Sequence, residues 1–157
     1  MKTTRKNVFE TNSSSSHSIT IADSGDLINN LEIEDGFIKS SGGEFGWEEI
    51  IYSDAQTKLD YLVTFICENT MDKVEEFNIS LLPNHLQKQF KMLEKAIKEF
   101  TGYGLLLEPL RDECWAFGYI DHQSSHVASE VFTSVSKIKN FIFNPKSILR
   151  TDNDNHC

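Results

Sequence analysis

Apolar residues recur every third or fourth position in two stretches of the chain, and each stretch predicts a helix. Leu59, Leu62, Val63 and Ile66 mark one face of a helix from about Asp54 to Asn69, with Ser53 and Gln56 in the spacing of a capping box. Leu86, Phe90, Leu93, Ile97 and Phe100 trace the stripe of a second helix. It begins after Pro83, takes Asn84 and Gln87 as its capping pair, and stops at Gly102. Lys88, Lys91, Lys95 and Lys98 form its wet face. A short third helix is predicted around Val135 to Phe141, ended by Pro145.

A period of two marks the strands. Ile19 and Ile21 alternate with polar neighbours from Ser18 to Ala22. Leu31 to Ile33 and Gly36 to Ile38, separated by Asp35-Gly36, read as a hairpin, and the following GGEFGWEEI reads as a loop with two anchored aromatics. Leu105 to Glu108 and Cys114 to Ile120 read as two strands expected to pair antiparallel, the second carrying Trp115, Phe117 and Tyr119 on one face. Ser147 to Arg150 is the last strand. Strands outnumber long helices and do not alternate with them, so the expected class is α+β: a single domain over residues 1–150, a mainly antiparallel sheet, two long helices and one short C-terminal helix. Residues 151–157 read as a polar tail. A chain of 157 residues, 39% hydrophobic, suits one core of this kind.

Charge and composition narrow the partners. The net charge is −9, which works against direct nucleic-acid binding, because that depends on Lys and Arg neutralising phosphates. An acid-rich protein can instead dock on a basic partner surface. No apolar run approaches the ~20 residues that span a bilayer, so no membrane association is expected. The basic N-terminus is followed by no apolar segment of a secretory signal, and the expected location is the cytoplasm. Three cysteines without a close pair argue against disulfides.

Two polar segments carry candidate chemistry. Phe9 to Ser18, FETNSSSSHS, is either a site or a linker; its short hydroxyl side chains compete for backbone hydrogen bonds and favour a loop. Ser13, Ser14, Ser15 and Ser16 offer donors to an anion, Arg5 adds charge, and Asn12 suits an amide or base edge. The glycines and lysine of a Walker loop are absent. The second segment, Asp121 to His126, follows the aromatic strand. There Asp121 can orient an imidazole, His122 can act as general base, and Ser124 or Ser125 can hold an anion; the plainer reading is a strand exit followed by a helix cap. His17 and His122, with Asp121, His126 or Cys114, lack the spacing of a metal site, so neither a metal nor another cofactor is expected. The TDNDN tail lacks the glycine and glutamate that complete a calcium loop.

With RKNVFETNSSSSHSI at the N-terminus, GEFGWE in the middle, GYIDHQSS later and TDNDN at the end, the chain resembles a largely uncharacterised family of small proteins of bacteriophages and mobile elements of low-GC bacteria. The resemblance implies a phage-type accessory protein in a bacterial cytoplasm, with a role by association in host takeover or in blocking a defence system such as CRISPR. It also implies one composite pocket drawing on Arg5, Glu10, Asn12, the serines, His17, Trp47, Asp121, His122 and Gln123. Two readings of such a pocket stay open. One is a binding factor whose polar loops, including Ser124, engage a host protein or a small phosphorylated or nucleotide ligand. The other is a small enzyme acting on such a ligand, with His122 as base, Asp121 as its orienter, His17 as a further catalytic candidate, and the serines with Arg5 as anion holders. Apart from any pocket, a further class of function is an acidic decoy that imitates nucleic-acid charge.

Overall fold

The computed structural model describes residues 16–46, 48–67, 76–110, 115–120 and 127–152. Helix α1, Ala55–Cys67, is the centre of the molecule. Leu59, Leu62, Val63 and Ile66 are buried as the spacing predicts, but so are Lys58, Tyr61 and Thr64 on the remaining faces. A helix covered on all sides lies inside a fold rather than on it. Its cap sits one residue later than expected: the Thr57 amide donates to Asp54 Oδ2 at 2.8 Å. A carboxylate there also opposes the positive helix end. Gln56 closes no capping box and instead donates to Asp60 Oδ1 at 2.9 Å and to the Lys39 carbonyl at 3.2 Å.

Helix α2, Asn84–Thr101, buries Phe90, Leu93, Ala96 and Ile97. Its N-cap residue Pro83 makes no side-chain cap bond, and Gln87 reaches back to the Leu82 carbonyl at 2.8 Å, so the predicted Asn84–Gln87 pair does not cap it. Gly102 is the stop, as expected. Helix α3, Val135–Phe143, is capped by the Ser134 hydroxyl, which accepts from the Lys137 amide at 3.1 Å. Both helices pack on α1 and on each other, and short 3-10 turns at Ile79–Leu81 and Val127–Thr133 fill the gaps between them.

The described strands fall into three sheets, and the fold is α+β. Strands β1 (Ser18–Thr20), β7 (Ile148–Thr151) and β4 (Ile50–Tyr52) form an antiparallel sheet with β7 in the middle. Strand β2 (Phe37–Ser40) pairs parallel with β5 (Gly104–Leu107), and β3 (Gly43–Phe45) pairs parallel with β6 (Gly118–Ile120). The antiparallel pairing expected between the segments of β5 and β6 is therefore corrected: each runs beside an earlier strand instead. Helices α1 and α2 lie between the partners in sequence and return the chain in the same direction, the connection that parallel strands require.

The predicted hairpin shrinks to one bridge, with Glu34 and Phe37 exchanging backbone bonds of 2.8 and 3.0 Å around Asp35-Gly36.

Two glycines decide the β3–β6 ladder. Gly42 and Gly118 both have positive φ, of 73° and 76°. A Cβ on Gly118 would stand 1.9 Å from the Gly43 carbonyl oxygen, and one on Gly42 would stand 2.0 Å from that of Phe117. Only backbone without a side chain approaches backbone so closely. Gly118 also breaks the alternation expected of the aromatic strand: Phe117 is buried, whereas Trp115 and Tyr119 are not and their rings lie 6.5 Å apart, so Phe117 does not share their face.

Candidate functional site

Strand β1 lies antiparallel to β7, so the residues entering β1 sit beside those leaving β7. The Ser16 amide donates to the Asp152 carbonyl at 3.0 Å. One residue on, His17 is buried. Its Nε2 lies 2.7 Å from the Gly46 carbonyl oxygen and its Nδ1 3.0 Å from the Tyr61 hydroxyl. The neutral tautomer with its hydrogen on Nε2 satisfies both contacts, donating to Gly46 and accepting from Tyr61. Both ring nitrogens are thus engaged by the protein's own groups. His17 ties the end of the serine run to α1 and to the segment after β3.

The same corner gathers other polar segments. Thr151 donates its hydroxyl hydrogen to the Glu48 carbonyl at 2.6 Å. The β3–β6 register places Glu44 opposite Tyr119. Beneath them, Phe45 is buried with its ring edge-on to Tyr61 at 4.8 Å and to Tyr52 at 6.0 Å, so an aromatic row runs from His17 to Tyr52. The Thr64 hydroxyl anchors the floor, donating to the Phe117 carbonyl at 2.8 Å and accepting from the Gly43 amide at 2.9 Å.

Above this floor is a cleft of about 300 Å³ lined by Glu44, Gly46, Glu48, Tyr52, Tyr119 and Thr151. Glu44 and Glu48 are exposed, and Tyr52, Tyr119 and Gly46 are partly covered. Burial, with the charges of Glu48 and Asp54 added, holds the Tyr52 phenol above its ordinary 10.0. The cleft is therefore a region of negative potential walled by phenol rings. It suits a cation: carboxylates pair with guanidinium or ammonium groups, and ring faces attract them.

Of the residues singled out in the sequence, Ser16 and His17 are described. Arg5, Glu10, Asn12, Ser13, Ser14, Ser15, Trp47, Asp121, His122, Gln123 and Ser124 lie outside the described residues. Glu44, Glu48, Tyr52, Tyr119 and Thr151 were missed as site residues. The signal available in the sequence is the membership of Glu44 and Glu48 in GEFGWE, of Tyr119 in GYIDHQSS and of Thr151 at the head of TDNDN.

Other chemistry is sparse among the described residues. No group of three or more His, Cys, Asp or Glu side chains stands ready for a metal ion. Cys67 is buried and its thiol is pushed up to about 12, which keeps it from forming the reactive thiolate. Burial also raises the Asp60 carboxyl, while hydrogen bonds donated by Ser40 and Gln56, at 2.7 and 2.9 Å, favour its ionised form. No described helix is long and apolar enough to cross a membrane.

No family model, no curated protein and no solved structure matches the chain.

Proposed function

We propose that this chain is a non-enzymatic binding protein that engages a basic surface of a host protein through the cleft between Glu44, Glu48, Tyr52 and Tyr119. In this reading it is an accessory factor of the bacteriophage type that its motifs resemble, acting in the host cytoplasm, with a defence system such as CRISPR among its targets. The observation that carries the reading is convergence. The described parts of all four motif segments meet at one corner: Ser16 at Asp152, His17 at Gly46, Gly43 at Gly118, and Thr151 at Glu48.

Convergent polar groups around a concavity are the usual mark of a binding site. The sign of the charge favours a cationic partner over a phosphorylated ligand, since two carboxylates facing a phosphate cost energy and two facing an arginine gain it. A net charge of −9 steers the whole molecule toward the same kind of partner.

The test is titration calorimetry of the full chain with an oligo-arginine peptide, repeated with the Glu44→Gln/Glu48→Gln double variant. The proposal expects affinity that falls with salt and weakens about tenfold in the variant. Equal affinity in both proteins overturns it. Turnover of a nucleotide by the natural chain, abolished in His122→Ala with the fold retained, replaces it with the enzymatic reading.

A further inference from the structure

The outward face of α2 departs from the acidity of the chain. Asn84, Gln87, Lys88, Lys91, Met92 and Lys95, with Val135 from the first turn of α3, line a groove of about 420 Å³. Among the described residues neither Lys88 nor Lys91 forms an ion pair with a carboxylate, although Glu94 on the next turn faces Lys91 electrostatically. Lys95 reaches Glu99 only at 3.8 Å, and Glu99 is held at 2.7 Å by Lys139. The groove thus carries a positive rim in which, among the described residues, Lys88 and Lys91 make no ion pair and Lys95 makes only a long one. Its floor, Met92 and Val135, is apolar and half-buried.

We infer that this groove docks an acidic peptide segment of a partner protein, which sets an apolar side chain on Met92 and Val135 and its carboxylates against Lys88, Lys91 and Lys95. Charge complementarity selects the occupant. The lysines line a helix face about 16 Å long from Asn84 to Lys95, the reach of about five extended residues. The lining holds neither an aromatic ring to stack a base nor an arginine to fork a phosphate, the two features that single-stranded nucleic acid uses. A long polyanion also meets repulsion from the rest of a chain of net charge −9, whereas a short segment need not extend beyond the groove. A thioether floor adapts to varied apolar side chains. The surface is distinct in charge and in residues from the cleft proposed above, and it calls for the opposite kind of partner.

The experiment is fluorescence anisotropy with the full chain and a short labelled peptide of Glu and Asp around two leucines. Comparison ligands are the same peptide with serine for leucine and an oligothymidylate of the same length. The expected result is saturable binding of the leucine peptide. It weakens about tenfold in Lys88→Glu/Lys91→Glu/Lys95→Glu and several-fold with the serine peptide, and it is unchanged in Glu44→Gln/Glu48→Gln. Circular dichroism checks that the charge-reversed protein is folded; if it is not, Lys88→Gln/Lys91→Gln must give at least a several-fold loss. The inference is overturned by no binding at millimolar peptide, by equal binding to the lysine variants, or by tighter binding of the oligothymidylate. It is equally overturned if the natural chain self-associates through these lysines and the variants abolish that association.

Discussion

Lys58, fully buried on α1, donates to the carbonyl oxygen of Asn144 at 2.9 Å and so fastens the centre of the fold to the end of α3. A second bond, also 2.9 Å, goes to the Ser147 carbonyl just before β7, and the ammonium lies 5.8 Å from the centre of the Phe141 ring. One side chain thus serves the acceptors of a whole chain reversal. Lys58→Met keeps most of the volume but leaves both carbonyls without this donor. The expected loss at pH 7 is about 1–3 kcal/mol, measured by urea unfolding.

The pH dependence of that loss follows from the folded state's reluctance to bury a charge. Burial pushes the Lys58 ammonium down from 10.5 to about 8, against the opposing pull of Asp54. Between about 8 and 10.5 the unfolded chain holds a proton that the folded chain has released, so this group's contribution to stability rises with pH there and is lost as pH falls through about 8. The stability of the natural chain relative to Lys58→Met should therefore grow from pH 8 to 9, by no more than about 1.4 kcal/mol. A flat difference would show that Lys58 titrates normally. Cys67 has the opposite sign, since its thiol keeps its proton from 9.0 up to about 12 in the folded chain and stability falls over that range. The stability of the natural chain relative to Cys67→Ala should shrink above pH 9.

Alanine at Gly118 or Gly42 should be among the most damaging single changes in the protein. Each Cβ would press on a backbone carbonyl at 1.9 or 2.0 Å with no flexible side chain to yield. A loss of about 4 kcal/mol or more is expected, enough to leave little folded protein at 37 °C. Gly36→Ala is the control: its φ is also positive, at 82°, but nothing lies within 4 Å, so about 1 kcal/mol is expected. Thermal unfolding of the three variants separates close approach from backbone preference.

Thr64→Val replaces a hydroxyl with a methyl of similar size. It removes the donor to the Phe117 carbonyl and the acceptor of the Gly43 amide, both at the β3–β6 ladder. Unfolding should become easier by about 2 kcal/mol, and amide exchange at Gly43 should quicken more than at Leu105 in the separate β2–β5 ladder. Equal quickening at both amides would argue that Thr64 supports the core as a whole.

His17→Phe keeps a ring in the aromatic row but loses the bonds to Gly46 and Tyr61. It should destabilise by about 1–3 kcal/mol and weaken binding of a cationic peptide, because the Gly46 side of the cleft loses its tether. Full stability with lost binding would instead point to direct contact between the imidazole and the ligand.

The parts of the fold that repeat along the sequence were the parts that could be read from it. Leu59, Leu62, Val63 and Ile66, and the stripe from Phe90 to Ile97, carry a helical period and are buried accordingly. The strand partners carried no such mark. Two glycines and the course of two helices between them set the β3–β6 pairing, and alternation in β6 was hidden by Gly118. Nothing in the local pattern marks Lys58, because its acceptors at Asn144 and Ser147 lie near the other end of the chain. For the site, the polar motifs pointed to a corner of the molecule, but the cleft's own side chains, Glu44 and Glu48, gain meaning only beside Tyr52 and Tyr119.

The seam between β1 and β7 sets the order of events during synthesis. Strand β1 leaves the ribosome long before its partner β7 and before the Asp152 carbonyl that receives the Ser16 amide. The seam cannot close until β7 has been made, and the ends of so long a span meet slowly. Helices α1 and α2 can form beforehand from local contacts. The corner that gathers the four motifs is therefore completed only once β7 is made, and a nascent chain that has not reached β7 lacks the cleft.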